Sequence, residues 1–217
     1  ERLAPELKPI FDKFEIPHKE LHKTATEIKS TFTQGDNSLS AKLRETQSDH
    51  LKWANKVKDY LIEGKMVKTI DVIKDDKRCK FGEWFFSEEI RKLKQEHPEF
   101  AALAKEIEQP HKELHNSIYK IEEYLSQGQV EAARSYYTAV TEKRASEVLN
   151  ILSKMVAWND QRTNGMQVAN KIYTEETLKH LDNVGSIFME VIQQSENYLM
   201  TDKVMLEQAS TTRSAVI

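Results

Sequence analysis

The hexapeptide Pro17-His18-Lys19-Glu20-Leu21-His22 recurs 93 positions later as Pro110-His111-Lys112-Glu113-Leu114-His115. The same shift carries Pro5 onto Pro98, Glu6 onto Glu99, Glu15 onto Glu108, Ile28 onto Ile121 and Gln34-Gly35 onto Gln127-Gly128. Two helical hairpins are therefore copies of one unit. This predicts an all-α fold, an antiparallel four-helix bundle with an internal pseudo-twofold repeat. The copies are unequal, because the shift takes His50 to Lys143 and Cys79 has no later counterpart.

The apolar spacing between these landmarks is helical. Leu7, Ile10, Phe11, Phe14, Leu21 and Ile28 mark one face from Leu3 to Phe32 before Gln34-Gly35-Asp36-Asn37-Ser38 breaks the pattern. Ser40 is the expected N-cap of a second helix, whose stripe of Leu43, Leu51, Val57, Tyr60 and Leu61 runs to Glu63-Gly64. The period is lost up to Ser87, and Ile70 to Trp84 reads as a connection with ordered contents of its own. Ser87-Glu88-Glu89 restarts a helix that runs to Gln127-Gly128, and Pro98 and Pro110 should kink it or divide it into pieces. A fourth helix covers roughly Val130 to Trp158, with a weaker break at Asn164-Gly165. Beyond it Leu178, Leu181, Phe188, Ile192, Leu199, Leu206 and Ala209 approximate a heptad seam. A helix from Met166 to Arg213 would be about 70 Å long, too long to be buried alone in a globule of this size, so part of it projects or pairs with another chain.

Composition narrows the function. Six Gly and five Pro among 217 residues leave few tight turns, as long helices require. The 32 basic and 35 acidic residues nearly cancel, and no Lys/Arg stripe stands apart from acidic neighbours, which argues against a nucleic-acid ligand. One Cys excludes an internal disulfide, and no apolar run reaches the roughly 20 residues of a membrane helix. Residues 1 to 10 read as the middle of a helix, so the chain reads as a piece of something longer.

The chemistry lies in the histidines and the cysteine. Two His four apart on a helix share a face and can reach one ion. His50-Leu51-Lys52-Trp53 is followed after 25 residues by Cys79-Lys80-Phe81-Gly82-Glu83-Trp84, and after 26 more by His111-Lys112-Glu113-Leu114-His115. Together they supply three imidazoles and one thiolate, a tetrahedral donor set suited to Zn²⁺. Trp53, Phe81 and Trp84 are expected in the core, holding the Cys turn against the helices. His97 and His180 look isolated.

This order, His-x-x-Trp, Cys-x-Phe-Gly-x-Trp, His-x-x-x-His, resembles the chemoreceptor zinc-binding domain of bacterial chemoreceptors and some diguanylate cyclases. The resemblance covers about residues 40 to 160 and places its four metal ligands on His50, Cys79, His111 and His115. It implies a four-helix bundle, bound zinc and a sensory role, responding to zinc or to oxidants through the Cys-zinc pair. On this reading residues 1–160 form the zinc-binding sensor bundle and 161–217 a long C-terminal signalling or connecting helix. The chain would be the ligand-sensing domain of a bacterial chemoreceptor, a homodimer through its long helices, with membrane and signalling domains attached outside it. A regulatory domain of a diguanylate cyclase or histidine kinase is the alternative. Residues 1 to 35 look like the rear half of another copy. His18 and His22 would then be a pair from an incomplete second site or, as preferred here, a remnant packed against its pseudo-twofold mate. The stretch Tyr198 to Ile217 is similar to the segment that enters the second membrane helix of transmembrane chemoreceptors. An extracytoplasmic (periplasmic) domain of an inner-membrane receptor is therefore expected, although the best-known family members are cytoplasmic.

An enzyme is the rival class. A zinc hydrolase needs an open coordination position and a base, as in His-Glu-x-x-His. Here Lys follows each first His, and Glu20 and Glu113 come two positions on, about 200° around the helix. With a single Cys there is no Cys-x-x-Cys-His, the signature of a covalent haem. A non-enzymatic role is expected.

Overall fold

The computed structural model describes residues 5–64, 69–198 and 202–215. The chain is 88 % helical with bundle packing, and no strand occurs among the described residues. Its long helices are α1 (Lys8–Thr31), α2 (Asn37–Glu63), then, after the short α3 (Lys80–Phe85) and α4 (Glu88–Glu96), α5 (Pro98–Ser126), α6 (Val130–Tyr136), α7 (Glu142–Ile172) and α8 (Leu178–Tyr198). A further helix, α9, covers Asp202–Ala215. Single π-helical turns at Tyr137–Thr141 and Tyr173–Thr177 join α6 to α7 and α7 to α8 without a break in helix. The repeat is visible in these bounds: α1 and α5 each run through their internal proline, Pro17 and Pro110. The expected division of the third helix falls at His97, with Pro98 in the first turn of α5, where its missing N–H costs nothing. Leu3, Leu199 and the last two residues of the tail, Val216 and Ile217, lie outside the described residues.

The chain divides into two compact units, 35–163 and 1–34 with 164–217. In the first, α2, α5, α6 and the front of α7 enclose an apolar core. On α5, Phe100, Ile107, Leu114, Ile118, Ile121 and Leu125 are all at most 1 % exposed. That is the stripe the helical period predicts, and each such side chain contributes about 1.5–3 kcal/mol of burial. Leu51, expected on the apolar face of α2, instead points outward. The start of α2 also differs from expectation. Asp36 is the N-cap, its carboxylate accepting the Ser38 N–H at 2.8 Å. Ser40 lies one turn inside, donating its hydroxyl to Asp160 at 2.6 Å and accepting from buried Asn159 Nδ2 at 2.8 Å. Asn159 Nδ2 also donates to the Asp36 carbonyl at 2.6 Å, while its Oδ1 accepts the Asp36 N–H at 3.3 Å. The start of α2 is thus bolted to α7 by one amide.

In the second unit α1 and α8 pair antiparallel: Phe14 meets Phe188 edge to face at 5.1 Å, and Lys13 Nζ lies 2.9 Å from Glu190. No break occurs at Asn164-Gly165. The glycine is needed instead for a close approach, because a Cβ there would collide with the Thr31 carbonyl and the Thr33 hydroxyl. The expected seam residues Leu181, Phe188 and Ile192 are about half exposed. No helix among the described residues is long and apolar enough to cross a membrane.

Asn159→Leu should destabilise the 35–163 unit by about 1–3 kcal/mol, because it leaves the Asp36 backbone groups and the Ser40 hydroxyl without their amide partner. Urea unfolding followed by tryptophan fluorescence measures it; an unchanged midpoint would contradict the bolt.

Candidate metal centre

Three segments deliver the site. On α2, His50, Trp53, Ala54 and Val57 share the buried face, so helical spacing alone turns His50 inward. On α5 the same geometry buries His111 and His115 among Leu114, Ile118 and Ile107. Between them lies the connection that ends in α3. Cys79 is the N-cap of α3, its sulfur accepting the Gly82 N–H at 3.2 Å. Gly82 is obligatory, since a Cβ there would run into the Asp76 carbonyl and the Lys77 Cα. Phe81 and Trp84 are buried and close the turn from behind, and the Phe81 ring sits 4.9 Å from His111.

The structure brings His50, Cys79, His111 and His115 together, one donor atom of each lying within 4.8 Å of every other, and all four residues are buried. His111 Nε2 lies 3.0 Å from His50 Nε2 and 3.4 Å from Cys79 Sγ. Tetrahedral bonds of about 2.0–2.1 Å to nitrogen and 2.3 Å to sulfur put ligand atoms roughly 3.3–3.6 Å apart, so the cluster is close to the size of a bound ion's shell. The outward nitrogens are already used. His50 Nδ1–H donates to the Thr46 carbonyl and His115 Nδ1–H to the Ile73 carbonyl, both at 2.8 Å. These bonds fix the tautomer and leave each Nε2 a lone pair facing inward. His115 Nε2 is buried with no hydrogen-bond partner. A buried acceptor left in that state costs free energy, and a cation among the four donors removes the cost. The residues fit a metal ion.

Electrostatics agrees with the geometry. Burial pushes His50 down to about 4, and burial together with the neighbouring His50 and His115 pushes His111 down to about 2. Burial likewise lowers His115 and raises the Cys79 thiol, the latter opposed by the N–H groups of Gly82 and Phe81. The imidazoles are therefore neutral near pH 7, the form that ligates, and a cation would reverse the shift on the thiol. A cavity of about 600 Å³, lined in part by His50, Cys79, His115, Trp53 and Lys80, opens beside the cluster.

Two supports escaped sequence reading. The Ile73 carbonyl accepts from Trp53 Nε1 at 2.7 Å as well as from His115, which explains the Trp three residues after His50. Glu122, on the buried face of α5, accepts the Ile70 N–H at 2.7 Å and pairs with Lys74 Nζ at 2.7 Å through both oxygens. It fastens the connection at its other end. A carboxylate set in an apolar stripe, seven residues after His115, was the available signal. His97 lies outside the cluster and packs against Trp158.

Residues 50–121 match the family model described as the chemoreceptor zinc-binding domain. The match includes all four clustered residues, His50, Cys79, His111 and His115. No curated protein and no solved structure gives a significant match. The domain match corrects one expectation. A periplasmic domain was expected from the likeness of residues 198–217 to a segment entering a membrane, but the chemoreceptor zinc-binding domain is a cytoplasmic family.

Glu122→Gln should keep the helical content and weaken metal affinity by less than the ~10–100-fold typical of a group bonded directly to a ligand, because Glu122 acts on the site only through Ile70 and Lys74. Competition against a chromogenic chelator reads this out, and affinity equal to the parent would show that the clamp does not position the site.

Proposed function

We propose that residues 35–163 are a zinc-binding sensor module of a bacterial chemoreceptor, non-enzymatic, holding Zn²⁺ through His50, Cys79, His111 and His115. The observation that carries this reading is the convergence of three Nε2 atoms and one sulfur in an apolar interior, with His115 Nε2 unpartnered. Bound there, the ion would supply cross-linking charge that favours the thiolate form of Cys79 and ties α2, α5 and the Cys turn together. Three neutral nitrogens and one sulfur anion suit Zn²⁺ better than the oxygen-preferring ions.

The residues also suggest how a signal would arise. Cys79 is the single donor from the turn before α3, and it borders the cavity beside the cluster. A two-electron oxidant such as hypochlorous acid would convert its thiolate to the sulfenic acid with release of chloride, leaving a poorer donor. The turn would then be held by the Trp53–Ile73 and Glu122–Lys74 contacts, a smaller set of restraints, and would shift against α2 and α5. A hydrolytic role is disfavoured: the Glu113 carboxylate, the nearest sequence candidate for a base, is engaged by Arg144 Nε at 2.6 Å and by Gln109. The exposed stripe of Leu181, Phe188 and Ile192 on α8 supports pairing with a second copy of the chain.

Cys79→Ala is expected to preserve the circular-dichroism spectrum while lowering Zn²⁺ affinity at least tenfold, and to abolish the thiolate-to-metal charge-transfer band of the Co²⁺-loaded protein. Unchanged zinc stoichiometry and affinity would remove Cys79 from the ligand set. Chelation of zinc from the parent should lower the thermal midpoint, with several kcal/mol at stake if the site is closed.

A further inference from the structure

The α1 copy of the repeat ends in a different environment from its partner on α5. His18 and His22 are exposed rather than buried against a mate, yet their Nε2 atoms converge to 3.1 Å, close to the 3.0 Å between His50 and His111. The His18 ring is stacked on Phe14 at 4.8 Å and 25°, and Phe14 is itself seated against Phe188 of α8. His22 then meets His18 edge to face at 4.6 Å. One of the pair is thus held in its rotamer by an aromatic contact, so less side-chain freedom is lost when both nitrogens take a common ligand. At 3.1 Å two Nε2–H groups cannot face each other, so at least one nitrogen presents a lone pair, and exchange of the proton to Nδ1 supplies the second at little cost in an exposed ring.

We infer that His18 and His22 form a second, open site for a divalent transition metal such as Zn²⁺, bidentate from the protein and completed by water or an external ligand. Two residues in place of four, and solvent in place of an apolar wall, make it the weaker and more rapidly exchanging of the two. The site lies on α1, outside the stretch 50–121 and independent of Cys79, so it stands or falls separately from the buried centre.

Isothermal titration of the full chain with ZnCl₂ tests it. The parent should bind one equivalent tightly and a second at least tenfold more weakly. His18→Ala/His22→Ala should lose the second equivalent alone, and Cys79→Ala should weaken the first alone. Each single histidine variant should weaken the second at least tenfold. Because both rings are exposed, the double variant should keep the parental circular-dichroism spectrum and thermal midpoint. Absence of a second equivalent from the parent, or its persistence in the double variant, overturns the site; loss of the first equivalent alone from the parent would instead overturn the buried centre.

Discussion

Four electron-pair donors share one apolar interior, and for His115 the protein satisfies only the outward nitrogen. This constraint organises the rest of the 35–163 unit. Imidazoles buried at such density resist protonation, because each added charge is poorly solvated and repels its neighbours. Protons therefore relieve the interior poorly, and a compact cation among the donors would suit it better. The buried side chains of Trp53, Phe81 and Trp84 make the wall around the donors largely apolar.

The outer layer translates that demand into backbone restraint. A single carbonyl, that of Ile73, takes hydrogen bonds from α2 through Trp53 and from α5 through His115. Glu122 grips the same connection at Ile70 and Lys74. The connection is not a slack loop but is held at Ile70, Ile73 and Lys74, the last lying five residues before the cysteine. Such a layout places the cysteine on a short segment and the three histidines on long helices.

The helices and the clustering of His50, Cys79, His111 and His115 could be read from sequence because both depend on side-chain identity at fixed spacing. His50, Cys79, His111 and His115 are rare residue types, and helical geometry alone turns three of them to buried faces. What remained hidden was carried by the backbone or by close approach. The Ile73 carbonyl has no side-chain signature. Ser40 resembled a cap because of its hydroxyl, but Asp36 sits where the chain first turns helical, and Ser40 was needed for Asn159 and Asp160. Asn164-Gly165 resembled a break, yet glycine there makes room for Thr31 and Thr33. The two copies of the hexapeptide are alike in sequence, and only their surroundings separate a buried cluster on α5 from an exposed pair on α1. The periplasmic expectation failed for a related reason, since it rested on a tail whose pattern is shared by many helices.

Cys79 holds two offices at one atom. Its sulfur faces the three imidazoles and also receives the N–H that begins α3, a helix of six residues. The hydrogen bond that opens α3 therefore depends on the electron density of the same sulfur that faces the imidazoles. One sulfur is thus shared between the donor cluster and the start of a helix.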